Sequence, residues 1–171
     1  MTTRCAADGT VLRSWRIGDV TITRLEEARS LQPPESMFSN AGPGLVDKHP
    51  WVKPHFADDE GRLILYFNSF IIESQGRRIM VDTCVGNDKP RNVPQLDRLQ
   101  TPYLENLIAA GFEPESFDFV LCTHLHVDHV GWNTRWTGER WVPTFPNARY
   151  LFGRVEWEHF SSAPDDGLGD I

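Results

Sequence analysis

Residues 123–132 read Thr-His-Leu-His-Val-Asp-His-Val-Gly-Trp, directly after an apolar segment that is typical of a buried strand. If the chain stays extended here, alternate side chains face the same way, so His124, His126 and Asp128 lie on one side. A bend at His129 then adds a fourth donor. Imidazole and carboxylate are ligands that zinc prefers, and iron and manganese accept them as well. The spacing therefore predicts a site for two adjacent metal ions, with the identity of the metal left open.

The density of these groups distinguishes them from ordinary surface histidines. The chain has six histidines, and three of them lie within residues 124–129 together with an aspartate. So many ionisable groups at the end of a strand would be costly to bury without a cation. We therefore interpret the cluster as a metal site.

Apolar periodicity elsewhere predicts a mixed chain of strands and helices. Four segments rich in β-forming residues are predicted strands: 63–73, 78–83, 118–123 and 148–152. A strand or hairpin near a sheet edge is expected over 15–25, and a proline-rich irregular segment over 31–54. Helices are predicted over 96–110, with a division at Pro102, and over 154–160.

Length and composition restrict the class of protein. The 171 residues suit one domain, which we expect to span 15–171 after a flexible N-terminus over 1–14. The 24 acidic and 17 basic residues give a net charge of −7, which disfavours nucleic acid as a partner. The longest apolar run, 63–67, is far shorter than the roughly 20 residues that cross a bilayer, so no membrane segment is expected. Without a secretory signal, and with three scattered cysteines, we expect a cytoplasmic protein.

The motif His124-x-His126-x-Asp128-His129 after a strand resembles the signature of the metallo-β-lactamase superfamily of metallohydrolases. The segment 81–83, Val-Asp-Thr, resembles the upstream strand of that family, which ends in an aspartate. The resemblance implies an α/β (α+β) fold, an αββα sandwich with its metals at one rim of two facing sheets. This chain is expected to hold only the first half of that sandwich.

The resemblance also implies roles for individual residues. His124 and His126 would ligate a first divalent metal ion, and Asp128 and His129 a second. Zinc is the first expectation for both ions, with iron or manganese as alternatives. Asp82 would orient a ligand histidine without binding metal itself. Asp128 would in addition act catalytically by orienting the attacking water.

The sequence departs from the family pattern in two places. A glycine commonly follows the Asp-Thr pair, but Cys84 stands here, and the segment 85–90 is interpreted as a loop of a subgroup. The family also draws a third histidine, a bridging aspartate and a last histidine from the second half of its fold. Poor candidates for those roles are His159, Asp165, Asp166 and Asp170.

The function implied is a metal-dependent hydrolase that uses a metal-activated water on an ester, lactone or phosphotriester. The residues around the motif look most like the lactonase and organophosphate-hydrolase branches of the family. Two alternatives stay open: an iron-dependent oxidoreductase of the same fold, or a non-catalytic half-fold that binds a partner. A small-molecule substrate is expected. Assembly as a homo-oligomer, and continuation of the natural chain past Ile171, are left open.

Three weaker features have competing interpretations. Glu156-x-x-His159 is a single copy of the pair found in di-iron bundles, and an exposed polar helix face is favoured. The histidines of 49–56 would line a substrate mouth, or belong to an ordinary proline-rich loop, which is favoured. Trp132 and Asn133 either border the substrate or pack beneath the metal-binding segment.

Overall fold

The strands form one mixed sheet and one separate hairpin. The computed structural model describes residues 4–9, 11–42 and 44–162. Within them, the strands of the sheet, in their spatial order, are β1 (Ser14–Ile17), β2 (Val20–Gln32), β3 (Leu63–Ser74), β4 (Arg77–Val81), β5 (Phe119–Leu121) and β8 (Arg149–Leu151). The antiparallel hairpin consists of β6 (Thr134–Trp136) and β7 (Trp141–Pro143).

Helices are short. In the described parts of the chain the α-helices are α1 (Pro34–Met37), α2 (Tyr103–Ala109) and α3 (Arg154–Ser162). Short 3-10 helices lie at Val46–Lys48, Pro50–Val52, Pro114–Ser116 and Gly131–Asn133. No helix among the described residues is long and apolar enough to span a membrane.

The chain divides into two compact units. One comprises residues 1–27 and 67–171, and the other is Ala28–Tyr66. The second unit contains the end of β2, the start of β3 and, between them, α1 and two of the 3-10 helices. Its prolines lie between the two strands, where the elements are short, as expected for most of 31–54. Within it, Arg62 donates its backbone N–H and its guanidinium to Asp58 at 2.9 and 2.8 Å. The extent of the domain, 15–171, stays a prediction.

The core of the larger unit lies on one face of the sheet. Strand register places side chains from four neighbouring strands in one inward row: Ile71, Met80, Val120 and Tyr150. Tyr103 and Leu107 of α2 are fully buried in the same cluster. Burial of these apolar side chains between helix and sheet stabilises the unit, by about 25 cal/mol per Å² of apolar surface removed from water.

The opposite face of the sheet is apolar and open. The register aligns a second row of side chains on it: Phe70, Val81, Leu121 and Leu151. Phe70, Leu121 and Leu151 are 37, 39 and 39 % exposed. The described residues therefore supply one helical layer and one sheet whose second face is not packed as a core.

The predicted strands are present, but one predicted helix is shorter than expected. The edge hairpin over 15–25 forms as β1 and β2. The helix expected over 96–110 begins only at Tyr103, so the first part of that prediction is wrong. Pro102 is the cause, because a proline disfavours helical backbone in the residue before it.

Residues near the N-terminus make defined contacts with the larger unit. Arg4 donates to the carbonyl of Ala110 at 3.0 Å and to Glu73 at 2.8 Å. Its guanidinium also lies 3.9 Å from the centroid of the Phe112 ring. The flexibility expected over 1–14 stays a prediction.

Candidate metal centre

The carboxyl ends of three parallel strands meet at one edge of the sheet. Because β4, β5 and β8 run parallel, the residues that follow them emerge on the same side. Asp82 follows β4. The predicted metal-binding residues 123–132, here called the ligand segment, follow β5. The N–H of Asp82 donates to Leu121 at 2.9 Å, and the N–H of Cys122 donates to Leu151 at 2.9 Å. The structure thus brings the ligand segment and the predicted orienting carboxylate together.

The ligand segment turns earlier than the sequence predicts. The extended conformation expected through Asp128 does not form, because the strand ends at Leu121 and the backbone bends at Thr123 and His124. The N–H of His129 then donates to the carbonyl of His126 at 2.9 Å and closes a turn. This turn places the His129 ring 3.9 Å from that of His124, measured between centroids. The rings of His124 and His126 lie 4.6 Å apart. The three imidazoles therefore converge through a turn and not through strand alternation alone.

The surroundings of His124 favour a neutral, ligating imidazole. Partial burial, with the neighbouring rings of His129 and His126, lowers the pKa of His124. Because a neutral imidazole is the form that binds metal, this crowding favours the ligating state. The carboxylate of Asp128 is 32 % exposed, and its Oδ2 lies 3.5 Å from Nε2 of His129. The two groups that the resemblance assigns to the second ion thus lie side by side.

Asp82 contacts His129 directly. Its Oδ2 accepts a hydrogen bond from Nδ1 of His129 at 2.9 Å, which leaves the Nε2 lone pair of the neutral ring for a metal. Thr123 donates to the same carboxylate, with its N–H at 2.7 Å and its hydroxyl at 2.8 Å. Burial raises the pKa of Asp82, but these hydrogen bonds outweigh it, and the pKa lies below its ordinary value. Burial lowers the pKa of His129, but the bond to Asp82 and the charge of Asp128 raise it overall.

Residues 83–86, here called the strap, pack against the turn over 126–129, here called the ligand turn. The N–H of Thr83 donates to His129 at 2.7 Å, and its carbonyl accepts from Trp132 at 2.8 Å. The N–H of Gly131 donates to the strap at 2.8 Å. The turn is therefore fixed by backbone hydrogen bonds on both sides of Gly131.

Gly131 permits the close approach of two backbone segments. A Cβ at this position would lie 1.9 Å from the carbonyl carbon and oxygen of Val85, and 2.5 Å from the nitrogen of Gly86. No side-chain rotation can relieve a clash between a Cβ and a peptide group. A glycine is required here by contact with the strap.

Cys84, at the position where the family commonly has glycine, has a backbone conformation that suits glycine. Its φ of 50° is left-handed, a conformation that glycine adopts freely and that other residues adopt at a cost of about 1–2 kcal/mol. The thiol is buried 3.2 Å from the hydroxyl of Ser69, and burial raises its pKa well above the ordinary value. Cys84 is therefore a packed thiol, fully buried, at a position that suits glycine.

Glu27 is a half-buried acceptor that sequence analysis missed. Its carboxylate accepts from the N–H groups of Val85 and Gly86 at 2.7 and 3.2 Å. It also accepts from the Thr101 hydroxyl at 3.0 Å and the Trp132 indole at 2.6 Å. Desolvation raises the pKa of Glu27, although all four hydrogen bonds favour its charged form. Glu27 thus links the strap to Trp132 through hydrogen bonds.

Trp132 and Asn133 support the ligand turn from below. Trp132 is 3 % exposed and stacks on Tyr103, with ring centroids 5.2 Å apart. The side-chain oxygen of Asn133 accepts from the Thr83 hydroxyl at 3.0 Å. Of the two interpretations left open by the sequence, packing beneath the ligand segment is the one that these contacts support.

Of the remaining candidates, three are exposed histidines and three lie outside the described residues. His159 is exposed on α3, and His49 and His55 are exposed in the unit Ala28–Tyr66. The acidic candidates that lie outside the described residues are Asp165, Asp166 and Asp170.

The donor set suits a divalent metal ion in its chemistry. Within the described chain, no three His, Cys, Asp or Glu side chains already have the arrangement of a metal site. Three imidazoles nevertheless converge beside the partly exposed carboxylate of Asp128, and one ring is oriented by a buried carboxylate, as ligand histidines commonly are. The residues present fit such an ion. The ligand roles stay predictions for His124, His126, Asp128 and His129.

Replacing Asp82 with asparagine should weaken zinc binding by roughly 10- to 100-fold, because the ring of His129 loses its charged acceptor. The fold should survive, since asparagine tolerates the left-handed backbone of Asp82, whose φ is 56°. Isothermal titration of the metal-free chain with zinc measures the affinity. Asp88→Asn is the matched control, because Asp88 has a φ of 65° and an exposed side chain. Equal affinities of the two variants would contradict the role of Asp82.

Comparison with known families and structures agrees with this geometry. A sequence model of the metallo-beta-lactamase superfamily matches residues 65–169. A probable metal-dependent hydrolase from Staphylococcus aureus has a similar structure, with a TM-score of 0.68 and 23 % identity over 91 % of this chain and 57 % of that chain. The hydrolase AbOPH of the beta-lactamase superfamily has a TM-score of 0.67 and 28 % sequence identity, over 90 % of this chain and 48 % of that chain. No curated protein matches the sequence significantly.

A third solved structure is AidC, a dizinc quorum-quenching lactonase in complex with a product, with a TM-score of 0.68 and 18 % identity. It is matched over 90 % of this chain and 48 % of its own length. The fold and the ligand segment define the class, and the chain belongs to the metallo-β-lactamase superfamily. The expected α+β fold class is confirmed, and the chain spans about half the length of the solved structures it matches.

Proposed function

We propose that this chain carries part of the metal centre of a hydrolase that acts on an ester, lactone or phosphotriester. The observation that carries the proposal is the hydrogen bond from His129 to Asp82, which aims His129 into a cluster with His124 and Asp128. A ring held in this way has its free nitrogen positioned before any metal arrives. The superfamily match and the lactonase and hydrolase neighbours support the reaction class.

The chain would hold two divalent ions, one at His124 and His126 and the other at Asp128 and His129. Zinc is the proposed metal, and the dizinc lactonase among the structural neighbours supports it. When bound, such ions polarise a carbonyl or phosphoryl oxygen and make hydroxide available near neutral pH.

The side chains of the cluster have distinct tasks in this proposal. Asp82 and Thr123 keep the ring of His129 in one orientation. Asp128 is partly exposed, so its carboxylate can accept a hydrogen bond from an attacking water and orient it. Partial burial and the neighbouring rings of His129 and His126 lower the pKa of His124, which favours the neutral form that ligates metal. None of these tasks requires a side-chain nucleophile.

The proposed substrate is a small molecule. A chain with a net charge of −7 repels polyanions, so nucleic acid is not proposed as a partner. A cytoplasmic location stays a prediction from the sequence.

Replacing His126 with alanine should lower zinc affinity by at least about 100-fold, whereas His159→Ala should leave it unchanged. His159 is a matched control because it is an exposed histidine on α3 outside the ligand turn. Zinc titration, with metal analysis of protein purified without added metal, measures both variants. Equal loss from the two variants would overturn the site. Iron as the sole bound metal, with redox activity, would favour the oxidoreductase alternative.

A further inference from the structure

One face of α3 packs against the ligand segment. Glu156 and Phe160 lie one turn apart on this helix and therefore share a face. Oε2 of Glu156 accepts a hydrogen bond from the N–H of Leu125 at 3.1 Å. The Phe160 ring meets the His126 ring edge-on, with centroids 5.8 Å apart and an interplanar angle of 83°. Two side chains of α3 thus contact two consecutive residues of the ligand segment.

The residue that Glu156 contacts lies between two predicted ligands. Leu125 separates His124 from His126, and its own side chain is 4 % exposed. A buried side chain and a bonded N–H together restrict the rotation of this residue about its backbone. The directions of the two flanking imidazoles depend on that backbone, because His124 and His126 are joined directly to the two peptide groups of Leu125.

The position of Glu156 on α3 suits a hydrogen-bond acceptor. It lies in the first turn of α3, where the helix dipole stabilises a negative charge. A carboxylate that accepts from a backbone N–H makes a stronger hydrogen bond than a neutral acceptor does. Glu158 lies two residues further along the same helix, and its side chain is exposed. Of these two glutamates, Glu156 contacts the ligand segment and Glu158 faces solvent.

We propose that Glu156 is a positioning residue of the metal centre, which acts through the Leu125 peptide while Phe160 limits the movement of His126. This inference rests on the proposed function. The Glu156-x-x-His159 spacing is then not a metal-binding pair, because Glu156 serves the backbone and His159 is exposed. The carboxylate determines the spacing of His124 and His126 without touching the metal.

The test compares Glu156→Ala, Glu156→Gln and Glu158→Ala in the 171-residue chain. Residue-resolved amide exchange of Leu125 in the metal-free protein reports the contact itself. Zinc titration reports its consequence. In Glu156→Ala we expect Leu125 to exchange at least about tenfold faster and zinc to bind roughly 10- to 100-fold more weakly. Glu156→Gln keeps an acceptor oxygen and should restore most of both values, and Glu158→Ala should match the parent chain.

Two results would overturn the proposal. Unchanged exchange of Leu125 in Glu156→Ala would show that the hydrogen bond does not hold this peptide. The second result concerns Glu156→Ala when His126→Ala does lose zinc. Faster exchange of Leu125 with unchanged zinc affinity would then show that Glu156 stabilises the fold without positioning the metal ligands. If His126→Ala keeps its zinc, the proposed function fails as well, so the two failures are distinguishable.

Discussion

Gly131→Ala should lower the free energy of unfolding by more than about 3 kcal/mol, a large fraction of the roughly 5–15 kcal/mol that is typical of a folded protein. The new Cβ would lie 1.9 Å from the carbonyl group of Val85, and both backbones are fixed there by hydrogen bonds. To relieve this overlap, the strap and the ligand turn must separate. That separation would also break the hydrogen bond that Gly131 donates to Cys84.

Urea denaturation followed by circular dichroism measures this loss. Gly42→Ala is the matched control, since a Cβ on Gly42 would meet nothing within 4 Å. We expect Gly42→Ala to change the free energy of unfolding by less than about 0.5 kcal/mol. Similar denaturation midpoints for the two variants would show that the strap yields easily and does not hold the ligand turn.

The features of the site that could be predicted are those encoded locally. The ligand types at 124–129 are adjacent in sequence, and the apolar strand before them has a clear period. Asp82 could be identified because a strand ends directly before it. Pro102 marked the true start of α2, and the apolar period extending back to residue 96 obscured it.

The features that could not be predicted depend on contacts between distant residues. Glu27 accepts from groups that follow it by 58, 59, 74 and 105 positions, and nothing in its own strand distinguishes it from other polar residues. Glu156 was visible as part of a motif, but its partner Leu125 lies 31 positions earlier. The turn that closes at His129 depends on the strap, which pairs with it across more than 40 residues. The residues that hold the ligand turn in place therefore could not be identified from the sequence around them.

The open face of the sheet should make the 171-residue chain bind a hydrophobic dye. Phe70, Leu121 and Leu151 are each more than one-third exposed in one row, and apolar patches of this kind bind dyes or other chains. Changing Leu121 and Leu151 together to threonine should reduce the fluorescence of bound dye by at least about twofold. Ile108→Thr is the control, because Ile108 is 44 % exposed on α2, away from this face. An equal reduction in both variants would contradict a localised patch.

The same open face predicts a dependence of activity on chain length. The described residues offer four predicted ligands for two ions, so water must fill the remaining positions, and the ions should exchange readily. We expect residues 1–171 alone to hydrolyse lactones, aryl esters and phosphotriesters slowly or not at all with zinc, manganese or cobalt added. A longer chain that adds a second sheet over Phe70, Leu121 and Leu151 should show chelator-sensitive hydrolysis at least about 100-fold faster, because it covers the open face and adds ligands. Both forms are to be assayed as monomers at equal metal concentration.

Rapid, chelator-sensitive turnover by residues 1–171 as a monomer would contradict this expectation. It would show that the four predicted ligands already form a complete centre, and the open face would then have no part in catalysis.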